Sequence, residues 1–161
     1  YLARAVYGLD SLTRQNLPTV RTENTDENLC RRVAYELAAA DGEAAVTIFA
    51  TGSEIEIALG ARALLQGHGH PTRVVSVPCF ELFEEQSDGY KQDILGGSTL
   101  KMAIEAGIRQ GWDRFIGTDG IFIGMHGFGA SGEISDLYKH FGITPEAAAE
   151  AAEKVLHKKP H

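Results

Sequence analysis

One pattern constrains this chain more than any other. From Ala45 onward, short apolar runs alternate with amphipathic stretches of helical period. The first run, Ala45-Val46-Thr47-Ile48-Phe49-Ala50, is short and rich in β-branched residues, as a strand buried on both faces in a parallel sheet must be. Thr51-Gly52-Ser53 turns the chain, and Ser53 with Glu56 has the spacing of a capping box at the head of a helix. The helix carries Ile55, Ala58, Leu59 and Leu65 on one face. It stops at Gly67-His68-Gly69-His70-Pro71, where glycine takes the left-handed cap and proline blocks continuation. Thr72 to Val77 reads as the second strand, Ser87 to Leu95 as a short helix and Leu100 to Ile104 as the third strand. Gly120 to Met125 is a further apolar run and Ser135 to Phe141 another short helix. Thr144-Pro145-Glu146 opens the last helix with an N-cap, a first-position proline and an early acid. Strands alternating with helices at this spacing predict a three-layer α/β/α fold with a mostly parallel sheet of roughly five strands.

Residues 1–45 differ in texture. Asn28 to Ala40 reads as a short helical run inside a stretch of turn residues, a lead-in to the sheet. Within it, Thr13-Arg14-Gln15-Asn16-Leu17-Pro18 sets polar side chains and a guanidinium before a proline that ends any regular element. Arg14 is the candidate ligand-binding residue, because a planar, permanently charged fork suits phosphate or carboxylate.

The other chemistry-bearing residues read more plainly. Gly127-Phe128-Gly129-Ala130-Ser131-Gly132 matches G-x-G-x-x-G, but it falls near the end of the sequence, where no second strand with a ribose-binding acid follows; a tight structural turn is expected. His68, His70, His126 and His140 lack the convergent spacing of a zinc site and read as solvated or satisfied. Cys30 and Cys79 lie far apart and read as reduced thiols. Glu105 ends the third strand, where open α/β sheets place ligands, yet a cap or ion pair is the plainer reading of a lone carboxylate. Trp112, Phe115 and Phe122 read as core aromatics, and Glu150 with Lys154 as an i,i+4 pair. The net charge of −7 argues against a nucleic-acid surface. No stretch approaches the ~20 apolar residues of a membrane span. A cytoplasmic setting is the default expectation.

Six segments, taken together and in register, resemble the C-terminal third of transketolase. They are Thr13 to Pro18; Ala50 to Glu54 with Glu56; Arg73 to Pro78; Glu105 to Ile108; Gly124 to Ser131; and Phe141 to Thr144. The resemblance implies a thiamine-diphosphate and magnesium enzyme of three α/β domains. Such an enzyme works as a homodimer in the pentose phosphate pathway and moves a two-carbon ketol unit from a ketose phosphate to an aldose phosphate. By this resemblance residues 1–20 end the preceding pyrimidine-binding domain, 21–44 form a linker and lead-in helix, and 45–161 form the C-terminal domain. The family arginine of the S/T-R-Q segment, which binds the substrate's terminal phosphate, matches Arg14. The family's metal–diphosphate motif has no match, and Gly117-Thr118-Asp119-Gly120 is no substitute. The domain itself is therefore expected to serve structure and assembly, to bind no cofactor and, isolated, to be inactive. Two rivals stand beside it: a stand-alone α/β module holding a nucleotide or another anion, and the homologous tail of a 2-oxo-acid dehydrogenase β subunit.

Overall fold

The computed structural model describes residues 33–125, 127 and 134–158. Five strands form one sheet: β1 (Tyr35–Ala38), β2 (Val46–Ala50), β3 (Thr72–Ser76), β4 (Leu100–Ile104) and β5 (Ile121–Ile123), in the order β1-β3-β2-β4-β5. β2 lies at the centre, parallel to β3 and β4; β5 is parallel to β4, and β1 runs antiparallel to β3. The sheet is thus mostly parallel with one antiparallel edge, and its strand count matches the sequence expectation.

Helices cover both faces. On one side α1 (Ile55–Gly67), α5 (Ile134–Phe141) and α6 (Pro145–Leu156) pack on Val46, Ile48, Val74, Met102 and Ile104. On the other, α2 (Phe80–Glu84), α3 (Asp88–Leu95) and α4 (Asp113–Ile116) enclose Phe49, Val75 and Ala103 with Phe83, Trp112 and Phe115. All five residues of β2 are buried, which explains why that strand reads as a continuous apolar run rather than an alternating one. Burying a side chain of this size contributes about 1.5–3 kcal/mol, so the two cores hold the layers from both sides.

The helix ends follow their sequence signals with one exception. Thr144 accepts from the N–H of Ala147 with Pro145 at the first turn of α6, and Ser87 accepts from Tyr90 at the start of α3. The capping box expected from Ser53 and Glu56 is not formed. Gly52–Glu54 make a 3-10 turn, Glu54 takes the N-cap position of α1 without a side-chain cap bond, and Ser53 Oγ donates to Glu54 instead.

A second correction concerns the lead-in. The described part of the expected helical run over Asn28 to Ala40 contains a strand, β1, not a helix. Ala and Leu favour helix locally, but a free edge on β3 offers a ladder of hydrogen bonds, and such tertiary context overrides weak propensity. Tyr35 pairs with Ser76 and Glu36 with Val75, with a register shift before Ala38 pairs with Val74. Residues 1–20, assigned above to a preceding domain, lie outside the described residues.

Candidate functional site

In an open α/β sheet, a crevice forms at the carboxyl ends of the strands where successive connections leave to opposite sides. Here β2 connects through α1 to β3 on one side, and β4 connects through α4 to β5 on the other. The crevice therefore lies between the carboxyl ends of β2 and β4. Thr51 to Glu54 follow β2, and Glu105 to Ile108 follow β4.

Two carboxylates meet at this point. Glu54 is buried, with 5% of its surface exposed. It accepts from Ser53 Oγ at 2.7 Å and from the hydroxyl of Tyr138 on α5. Glu105 is half-buried and accepts from the indole Nε1 of Trp112, which is itself fully buried. Burial pushes the Glu105 carboxyl above its ordinary range; the Trp112 hydrogen bond opposes this, and the negative charge of nearby Glu54 adds to it. Trp112 is fixed in turn by Phe80, edge-on with ring centroids 4.7 Å apart, and by Phe115 at 5.7 Å. The chain after β5 presses close here: a Cβ on Gly124 would fall 2.6 Å from the Glu105 carbonyl oxygen, so only glycine fits.

Beside Glu105 lies an open cavity of about 290 Å³ lined by Thr51, Val77, Pro78, Cys79, Phe80 and Glu81. Cys79 Sγ stands 3.5 Å from Glu81 Oε2. The edge is thus acidic and part-aromatic. Such a surface suits a cation and repels phosphate, which disfavours nucleotide or anion binding at this switch point.

Arg14 and most of the Gly127–Gly132 motif lie outside the described residues, as do His126 and Cys30. Gly117-Thr118-Asp119-Gly120 forms the loop between α4 and β5. Arg109 fastens it by donating to the carbonyls of Gly117, Thr118 and Gly120. The histidines do have partners the spacing did not suggest. His68 Nδ1 lies 2.6 Å from Glu153 Oε1 on α6, and the His70 ring stands edge-on to His157. Among the described residues, no three His, Cys, Asp or Glu side chains converge to hold a metal, and no helix is long and apolar enough to cross a membrane. Trp112 and Phe115 are core aromatics as expected, Phe122 packs against the same cluster, and Glu150 pairs with Lys154 at 2.6 Å. Sequence reasoning missed Glu54 as a site residue, because its tie to Tyr138 joins positions 84 apart.

Comparison with known proteins agrees with this architecture. Residues 34–144 match the family model described as the transketolase-like C-terminal domain. A transketolase from Rhodobacter capsulatus is 49% identical over 152 residues, covering 91% of this chain and 23% of the relative. One from Cereibacter sphaeroides is 52% identical over 143 residues, covering 89% and 22%. The chain therefore spans under a quarter of the length of these relatives. A transketolase structure from Pichia stipitis, in complex with sedoheptulose-7-phosphate, superposes with a TM-score of 0.72 at 34% identity, covering 78% of this chain and 18% of that one. Strand order, the helical cover on both faces and identity to these relatives over most of the chain converge: the chain belongs to the transketolase family and is its C-terminal domain.

Proposed function

We propose that this domain serves a whole transketolase that moves a two-carbon ketol unit between sugar phosphates, with thiamine diphosphate and magnesium as cofactors and two subunits in the working enzyme. The observation that carries this reading is the identity to the Rhodobacter capsulatus transketolase over 91% of the chain. The sedoheptulose-7-phosphate of the Pichia stipitis complex supports the substrate class. The described residues do not fit a diphosphate–magnesium site: no metal-ligating cluster forms among them, and the Gly117-Thr118-Asp119-Gly120 loop has its carbonyls engaged by Arg109. The cofactor belongs, on this proposal, to domains preceding this one, and the working setting is the cytoplasm. Residues 1–20 are assigned to the end of the preceding domain and 21–44 to the linker and lead-in, whose Tyr35–Ala38 joins the sheet of the 45–161 C-terminal domain as β1.

Within the chain, Arg14 is the residue assigned to substrate. A guanidinium presents a fixed fork of donors to a tetrahedral phosphate, and a hydrogen bond to a charged group contributes about 1.5–3 kcal/mol. Arg14→Ala in the full-length enzyme should therefore lower kcat/KM for phosphorylated sugars by roughly 10- to 150-fold. The unphosphorylated acceptor glycolaldehyde should be affected far less. An equal fall for both substrate classes would make Arg14 structural and end the phosphate assignment.

A further inference from the structure

Three neighbouring strands end together at the carboxyl edge of the sheet. Thr51 follows β2, Val77 to Glu81 follow β3 and Glu105 follows β4, and β2 lies between the other two. The cavity of about 290 Å³ beside Glu105 is lined by residues from all three ends. Val77 adds one more ladder bond, from its N–H to the carbonyl of Ala50. Pro78 then lacks an N–H, pairing stops and the chain turns away into α2. The concavity is thus built by the strand order itself, at the kind of place where open α/β sheets hold ligands. Its size falls at the small end of ligand-binding cavities, about 300–1,000 Å³.

The lining selects one chemistry. Val77, Pro78 and the half-buried Phe80 give an apolar, part-aromatic wall. Phe80 is held in place by Trp112 and Phe115, with ring centroids 4.7 and 5.1 Å away. The two charged groups on the wall are both carboxylates, Glu81 and Glu105. Glu105 keeps the Trp112 indole as its donor, and the buried Glu54 adds a second negative charge nearby. Among the described residues no basic side chain pairs with Glu54, Glu81 or Glu105; the neighbouring ion pairs run elsewhere, Arg114 to Glu84, Arg109 to Asp113 and Lys91 to Asp88. An aromatic face likewise attracts a cation and not an anion. We propose that this cavity binds a small organic cation, an ammonium or guanidinium group on a short apolar stem, with the charged head at Glu81 and Glu105 and the stem along Val77, Pro78 and Phe80.

Trp112 is the chain's single tryptophan and donates to Glu105, so its fluorescence reports on the site. n-Butylguanidinium, titrated into the full 161-residue chain at pH 7 and constant ionic strength, should change this emission saturably. Butyrate and butanol, which share the stem but not the positive charge, should not. Glu105→Gln leaves an amide that still accepts from Trp112 and should weaken binding on the order of tenfold. Glu81→Gln, at an exposed position, should weaken it several-fold, and Glu150→Gln on α6 not at all. No saturable change with n-butylguanidinium overturns the proposal. So does an equal response to butanol, which would make the cavity a purely apolar one. So does an unchanged affinity in both glutamine variants at the cavity, which would put the cation elsewhere.

Discussion

Replacing Trp112 with phenylalanine isolates what one indole N–H does at the carboxyl edge. Phenylalanine keeps an aromatic ring against Phe80 and Phe115 but cannot donate to Glu105. A hydrogen bond to a charged group contributes about 1.5–3 kcal/mol. Glu105 is only half-buried, so water recovers part of this and the lower end, about 1.5–2 kcal/mol, applies. The smaller ring leaves a cavity costing on the order of 1 kcal/mol. Trp112→Phe should therefore lose about 2.5–3 kcal/mol at pH 7, a figure to be measured by urea unfolding followed by far-UV circular dichroism.

The cost should also depend on pH, with a definite sign. A carboxyl whose folded-state value is raised contributes stability that is full below its unfolded value, here the ordinary 4.5, and that is lost as pH rises through the folded value. Burial and the charge of Glu54 raise Glu105, and the Trp112 hydrogen bond opposes them. Removing the donor raises the folded value further. The variant's deficit should be largest at pH 7 and shrink toward the cavity contribution alone as the pH approaches 4.5. An equal deficit at pH 7 and pH 5 would refute the reasoning, because the hydrogen bond would then carry no charge dependence.

Two further outcomes follow from close contacts. Tyr138→Phe removes a donor from the buried Glu54, leaving Ser53 as its donor among the described residues, and should cost about 1.5–3 kcal/mol in urea unfolding. Gly96→Ala forces a side chain onto a residue at φ 72°, with its Cβ 2.4 Å from Arg73 Nη2 and 2.9 Å from Thr47 Oγ1. The left-handed backbone alone costs about 1–2 kcal/mol. Displacing Arg73 adds the loss of its bonds to Thr47 and to the carbonyls of Asp93 and Ile94. At ~2–4 °C per kcal/mol for a domain of this size, calorimetry should show Tm falling by at least about 4 °C.

The sheet was legible in the sequence because β2, β3 and β4 are buried on both faces, and burial forces an apolar run that periodicity detects. β1 was not, because an edge strand needs little apolar surface, and Tyr35-Glu36-Leu37-Ala38 carries the composition of a helix. The final helix was legible from Thr144 and Pro145, since capping chemistry is local. The site was legible only in part. Glu105 could be placed at a strand end, but its partner Trp112 follows an irregular loop with no periodicity to fix its direction. Glu54 was concealed by the capping-box spacing around it, and its real partner Tyr138 lies beyond the reach of local pattern. His68 and Glu153, 85 positions apart, escaped for the same reason.

The central place of β2 has a consequence for how the chain assembles itself. Its two neighbours are completed in sequence on opposite sides, β3 by residue 76 and β4 only by residue 104. Until β4 arrives, β2 presents a row of unpaired N–H and C=O groups on a fully buried, largely apolar strand, the arrangement most prone to pair with another molecule. Parallel pairing across long connections is also slow, because loop closure must precede its reward. The stretch between β3 and β4 is therefore a window of vulnerability during synthesis, and that stretch, with Glu81, Glu84, Glu85 and Asp88 exposed, carries like charge that repels a second copy of itself.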